Sequence, residues 1–338
     1  MSKQPTFTPP AWLRNSHLQV MGSVFIPRHI TLFPSEDRYF DLADGSKLVT
    51  ECTWQKNRRQ ATTLLIVHGL NGSTISSYIR GTASKAYEAG FNVVRVNLRN
   101  GGNREEMSKT LCHAGQSDDI STVVRELIHL DQLPRIGIIA FSFGANISLK
   151  AAAEWGDKAP PQVVGIVGVS PLIDLDATTD ALDHKAPAIY RYQLLKGLKS
   201  MVRERAKLFP GQYDTSGLAS IKHLRAFDDM YAPYNGFKDA ADYYAKASCL
   251  PHLGKITIPT LLISSEDDAV IPVKSFRQVD NPHIQLLITK HGGHGGFISR
   301  ESGKDPDRHW AETRAVEFFS VKSPGIAPHT YPQKAPSP

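Results

Sequence analysis

The chain has 338 residues, 41% of them apolar, and a formal net charge of +6. That length leaves room for one large α/β domain with a sizeable core, or for two small ones. Basic and acidic residues are interspersed, and pairs such as Arg58 with Arg59 and Arg203 with Arg205 are short enough to be solvated faces, so the composition excludes the concentrated basic surface of a nucleic-acid binder.

The opening 35 residues are rich in Pro and aromatic residues and show no clear period. They read as an arm (1–35) that wraps a following domain, anchored by Trp12 and Leu18. The start lacks the apolar core of a secretory signal, and no apolar run approaches the roughly 20 residues of a membrane span. The three cysteines, Cys52, Cys112 and Cys249, are far apart and odd in number, which fits a reducing compartment. The expectation is a cytoplasmic protein with at most weak peripheral attraction to anionic lipid.

A hairpin signal follows. Residues 38–43 and 47–54 alternate apolar and polar side chains across Asp44-Gly45, a favoured tight-turn pair. Short β-rich runs then occur at 63–67, 92–97, 136–141, 163–169, 261–265 and 284–289. Helical patterns lie between them, near 76–89, 118–130 and 143–154, with Asp118 and Asp119 suited to a helix N-terminus. Such alternation predicts an α/β fold with a mostly parallel central sheet and helices on both faces. It breaks over 171–255, which has no strand-like run and many Tyr, Lys, Arg and Asp residues. That stretch reads as a helical cap over the strand ends, inside a domain spanning 36–320. A last helix is expected from about 308 to 319, then a Pro-rich, disordered tail, 321–338. No internal repeat is present.

Chemistry enters at Ala140-Phe141-Ser142-Phe143-Gly144. It nearly matches G-x-S-x-G, the turn that lifts a serine from a strand end onto a helix N-terminus, where backbone N–H groups point outward. Taken alone the pentapeptide is also a plain turn with a serine in it. The strand before it and the helix former after it favour a nucleophile. In that arrangement an acid and then a histidine follow in chain order. After the 261–265 strand come Glu266, Asp267 and Asp268. Three adjacent carboxylates need cationic or hydrogen-bonding partners. Asp268 is chosen for its spacing from Pro272, with Asp267 as the rival. After the 284–289 strand comes His291-Gly292-Gly293-His294-Gly295-Gly296, a loop flexible enough to reach the serine. His294 is the preferred base and His291 the alternative. The His-x-x-His spacing could also suit a metal, but no third ligand stands at the usual distance in sequence.

His68-Gly69-Leu70-Asn71-Gly72 follows the first core strand. A His-Gly turn there commonly aims a backbone N–H at a developing oxyanion, so the expected donors are the N–H groups of Leu70 and Phe143. His68 reads as a prop for the loop. The Gly-Lys-Ser/Thr ending of a phosphate loop is absent.

With these motifs in place the sequence resembles the YheT-like family of α/β-hydrolases, which includes plant and animal members described as esterases or phospholipase-like. Trp12, Asn15, His17 and Gln19 look like its W-x-x-N-x-H-x-Q opening. Asn97-Leu98-Arg99-Asn100-Gly101-Gly102 and His113-Ala114-Gly115-Gln116 look like its N-x-R-G and H-x-G stretches, and Phe227 to Ser248 is similar to its cap. The resemblance implies the α/β-hydrolase fold and a triad of Ser142, Asp268 and His294. It departs at Ala140 and Asn100, where Gly is usual, and at Ala269, where Pro often follows the acid. The implied activity is hydrolysis of carboxylic esters, with short or medium acyl groups or a lipid ester as substrate. A thioesterase or phospholipase-type lipid hydrolase is the alternative, and an inactive binding module on the same fold is the reading from another class. No organic cofactor and no metal is implied. Cap tyrosines 190, 192, 231, 234, 243 and 244 are candidates for pocket lining or cap core.

Overall fold

The computed structural model describes residues 6–301, 303 and 305–322. Its centre is an eight-stranded sheet. The strands are β1 (Glu36–Asp41), β2 (Lys47–Thr53), β3 (Thr63–Val67), β4 (Asn92–Val96), β5 (Ile136–Phe141), β6 (Val163–Val169), β7 (Thr260–Ser265) and β8 (Ile284–Thr289). Their spatial order is β1-β2-β4-β3-β5-β6-β7-β8. The β1–β2 and β2–β4 pairs are antiparallel and the rest parallel. Strands β3 and β5 are buried along their whole length, as strands covered on both faces must be.

The helices are α1 (Ser16–Phe25), α2 (Ser77–Glu88), α3 (Ser117–His129), α4 (Ser142–Trp155), α5 (Leu175–Asp180), α6 (Ala188–Leu208), α7 (Leu224–Tyr231), α8 (Ala240–Ala247) and α9 (Trp310–Lys322). The strand pleat divides the core in two. Leu65, Val67, Ile138 and Ala140 face the layer that includes α3 and α4, while Leu64, Ile66 and Ile139 face α2 and α9. Helices α5 to α8 all fall between β6 and β7, in the stretch read as a cap. The Pro-rich tail from 323 lies outside the described residues.

The arm differs from its reading. Residues 16–25 form a helix whose N-cap, Asn15, accepts from the backbone N–H groups of His17 (2.9 Å) and Leu18 (3.3 Å). Trp12 and Leu18, expected as anchors, are 61% and 43% exposed. Leu13 and Gln19 are buried instead, at 1% and 0% exposure. Gln19 holds the arm through its amide: Nε2 donates to the carbonyls of Leu13 (2.7 Å) and Ile298 (3.2 Å), and Oε1 accepts from Ile298 N–H at 2.7 Å. A polar side chain anchors the arm because it meets loop backbone that would otherwise be buried unpaired.

Candidate active site

Strand β5 ends at Phe141, and helix α4 begins at once. Ser142, between them, has φ of 51°, a left-handed conformation that non-glycine residues seldom adopt. The turn is this tight because α4 passes close to the β3 exit: a Cβ on Gly144 would stand 2.2 Å from the carbonyl oxygen of His68. Ala140, where the motif ordinarily has Gly, is buried and pairs with Val67 and Gly168, so its methyl is accommodated.

Ser142 Oγ stands 2.9 Å from His294 Nε2. His294 Nδ1 stands 3.0 Å from Asp268 Oδ2. The other carboxylate oxygen, Asp268 Oδ1, accepts from the backbone N–H groups of Val270 (2.8 Å) and Ile271 (3.0 Å). Asp267 takes different partners. Its Oδ1 accepts from Gly293 N–H at 2.9 Å, and its Oδ2 lies 3.4 Å from His291 Nδ1. Glu266 points outward, exposed. The structure thus brings Ser142, His294 and Asp268 into one chain of contacts and pairs the two rivals with each other, one shell away.

The His-Gly turn lies against the serine, with the position of a Cβ on Gly69 3.2 Å from Ser142 Cβ. Leu70 and Phe143 both border the cavity at Ser142. Phe143 N–H belongs to the first turn of α4, where helical amides have no intrahelical acceptor. His68 accepts at Nε2 from Leu98 N–H (3.0 Å), which leaves Nδ1–H for the Gly69 carbonyl at 2.7 Å. Burial lowers its pKa to about 4, so it is a neutral strut between two loops. Asn100 has φ of 60° and accepts from Cys112 N–H at 2.8 Å. Asn tolerates the left-handed region where Gly is the usual choice.

Two supporting groups left no mark in the sequence reading. The hydroxyl of Tyr78 accepts from Gly69 N–H at 3.0 Å, and Ser170 Oγ accepts from Gly295 N–H at 3.1 Å. The second joins positions 125 residues apart, and the first depends on how the start of α2 packs on the His-Gly turn, so neither forms a sequence motif.

A cavity of about 400 Å³ opens at Ser142 and runs beneath the cap. Its lining is mostly aliphatic and aromatic. Tyr190, Tyr231, Tyr243 and Tyr244 border it, whereas Tyr192 and Tyr234 do not. No Lys or Arg lines it among the described residues. His113 borders it, and burial lowers that imidazole to about 4. Asp228 also borders it and accepts from the Tyr244 hydroxyl at 2.6 Å. Burial pushes its carboxyl up to about 7, against the pull of that hydrogen bond. From α1, Val20, Ser23 and Val24 complete the wall, and His17 Nδ1 lies 2.9 Å from the Tyr190 hydroxyl of α6.

A protein family described as alpha/beta hydrolase fold matches residues 62–301. YheT of Escherichia coli (strain K12), provisionally named an esterase, is 28% identical over 95% of this chain and 94% of its own. Phospholipase ABHD3 of Homo sapiens is 28% identical over 70% of this chain and 58% of its own. The Pyrococcus furiosus esterase Pf2001 is similar in structure, with a TM-score of 0.54 and 18% identity over 87% of this chain and 98% of that one; the likeness is one of fold.

Proposed function

Because the chain belongs to the alpha/beta hydrolase fold family, we propose that it is a serine hydrolase of carboxylic esters that works through an acyl-enzyme. The observation that carries this reading is the unbroken relay Ser142–His294–Asp268, with contacts of 2.9 and 3.0 Å. Asp268 holds the Nδ1–H tautomer of His294, which leaves the Nε2 lone pair for the Ser142 proton. Ser142 Oγ then attacks the ester carbonyl. The oxyanion forms where the N–H groups of Leu70 and Phe143 can donate to it, and such preorganised donors contribute a few kcal/mol each. His294 returns the proton to the leaving alcohol. Water repeats the sequence on the acyl-enzyme and releases the acid.

The apolar cavity supports an acyl group of short or medium length, or a lipid-like ester, and its volume is that of a small-molecule site. A phospholipase-type or thioester substrate is the second reading, favoured by the phospholipase name of one relative and by the apolar helix α1 in the cavity wall. The unpaired thiols of Cys52, Cys112 and Cys249 support a cytoplasmic setting. No step requires a cofactor or metal.

The test is labelling with a fluorophosphonate probe. Wild type should label and Ser142→Ala should not. Folded wild type that fails to label would sink the mechanism and leave a binding module. Nitrophenyl esters of increasing chain length, set against acyl thioesters of the same acids with Ser142→Ala as blank, then rank the substrate classes.

A further inference from the structure

Helix α1, which supplies Val20, Ser23 and Val24 to the cavity wall, also exposes side chains that proteins seldom leave together in water. Helix α1 turns Gln19 and Gly22 inward and leaves Leu18, Met21 and Phe25 outside. The spacing i, i+3, i+7 puts those three on one stripe. Phe25 is 73% exposed, and Val24, which also lines the cavity, is 65% exposed. Helix α6 begins beside this stripe, joined to α1 through His17 and Tyr190. Its own outer stripe starts apolar, with exposed Ile189 and Tyr192. Helical periodicity then carries it through Lys196 to Arg203, both exposed. Of the six Lys or Arg residues of α6, Arg205 is buried and Lys207 pairs with Glu204, while Lys196 and Arg203 stand exposed. The outer surface of α1 and α6 therefore grades from apolar to basic.

Two occupants could cover such a surface. A second copy of this chain, docked through the same patch on both subunits, would set one basic α6 against another. An anionic bilayer matches both parts: apolar side chains enter the boundary between headgroups and acyl chains, and cations meet lipid phosphates. Among the described residues no helix is long and apolar enough to cross a membrane, so the fit is to the interface. We infer that α1 and the outer stripe of α6 form a docking surface for anionic phospholipid bilayers, with Leu18, Met21 and Phe25 inserted and Lys196 and Arg203 on the phosphates. Docking in this way brings lipid to α1, whose exposed Val24 also lines the cavity. The consequence for substrate delivery rests on the proposed hydrolase activity; the docking does not.

Flotation with vesicles tests it without any turnover. The full chain should float with vesicles of phosphatidylcholine plus phosphatidylglycerol, and less so at high salt. With phosphatidylcholine alone, whose choline neutralises each phosphate, it should bind more weakly, by about fivefold for each cation that no longer meets a net negative surface. Met21→Asp/Phe25→Asp should fall off both kinds of vesicle by more than about tenfold. Lys196→Glu/Arg203→Glu should lose the preference for phosphatidylglycerol. Near-UV circular dichroism checks that both variants fold. The inference is overturned if wild type stays with neither vesicle, or if Met21→Asp/Phe25→Asp floats like wild type. It is also overturned if light scattering finds a dimer that this variant splits and that ignores vesicles. Hydrolysis of a soluble nitrophenyl ester by wild type is read separately: its absence would remove the proposed activity and leave the flotation result standing.

Discussion

Asp267 and Asp268 are sequence neighbours with different work. Asp268 sits with its side chain closed off from solvent, one oxygen on two backbone amides and the other on His294. An amide in its place can still accept from the backbone, but it can also donate toward Nδ1 and favour the wrong tautomer. Asp268→Asn is therefore expected to lower kcat by about 10⁴. Asp267→Asn keeps an oxygen for Gly293 N–H and should change kcat/KM by less than about tenfold, as expected of one neutral hydrogen bond replacing a charged one. Steady-state hydrolysis of a nitrophenyl ester measures both. The reverse ranking would move the acid to Asp267. Spacing from Pro272 points to Asp268, and the loop turns that carboxylate toward His294 while Asp267 meets Gly293 and His291.

At the scale of elements, α1 belongs to the site as much as to the arm. It packs on the histidine loop closely enough that a Cβ on Gly293 would stand 2.4 Å from the Ser16 carbonyl oxygen. Gln19 clamps Ile298, four residues beyond His294, by both backbone groups. Gln19→Ala leaves those groups buried and unpaired, at a cost of about 1–3 kcal/mol for each one that finds no other partner. The expected result is lower stability in urea together with a fall in kcat that exceeds any change in KM, because a looser loop misplaces the imidazole. A purely structural arm would move stability and leave kcat alone. The strands were legible from their residues: 63–67, 136–141, 163–169 and 284–289 are strands as read. Short runs rich in Val, Ile and Leu between turn residues are strand-sized and read readily as strands. Helix α1 was not legible, since its apolar residues sit on the exposed side and its buried side carries Gln and Gly. That inverts the usual pattern of an amphipathic helix.

For the whole molecule, a buried ion cluster ties the arm to the sheet layers. Arg28 of the arm donates to both oxygens of Glu312 on α9 (2.7 and 2.6 Å) and to Asp307 (3.1 Å). Lys85 of α2 meets the same two carboxylates at 2.7 and 2.9 Å. Two cations and two anions balance. Arg28→Met would leave two carboxylates against one ammonium, a loss of about 3–5 kcal/mol that chemical denaturation would reveal. The cluster also sets an acid limit. Burial raises the Glu312 carboxyl, but Lys85 and Arg28 outweigh it and hold the pKa below the ordinary 4.5. A lowered carboxylate stabilises the fold fully above its unfolded pKa. That contribution should persist at neutral pH and disappear as the pH falls below about 4.5 through the folded value. Glu312→Gln should flatten this part of the pH–stability curve.

Local chemistry was enough for the α/β layers, the turn at Ser142, the His-Gly loop and the two loops that hold acid and base candidates. Each is a run of a few residues whose side chains restrict their own backbone. Folding had to decide which carboxylate faces His294, what anchors the arm and how the cavity is shaped. Those depend on contacts between distant positions: 152 residues separate Ser142 from His294, and 279 separate Gln19 from Ile298. At such separations the partner is set by where the sheet delivers each loop, and that follows from packing of the whole core.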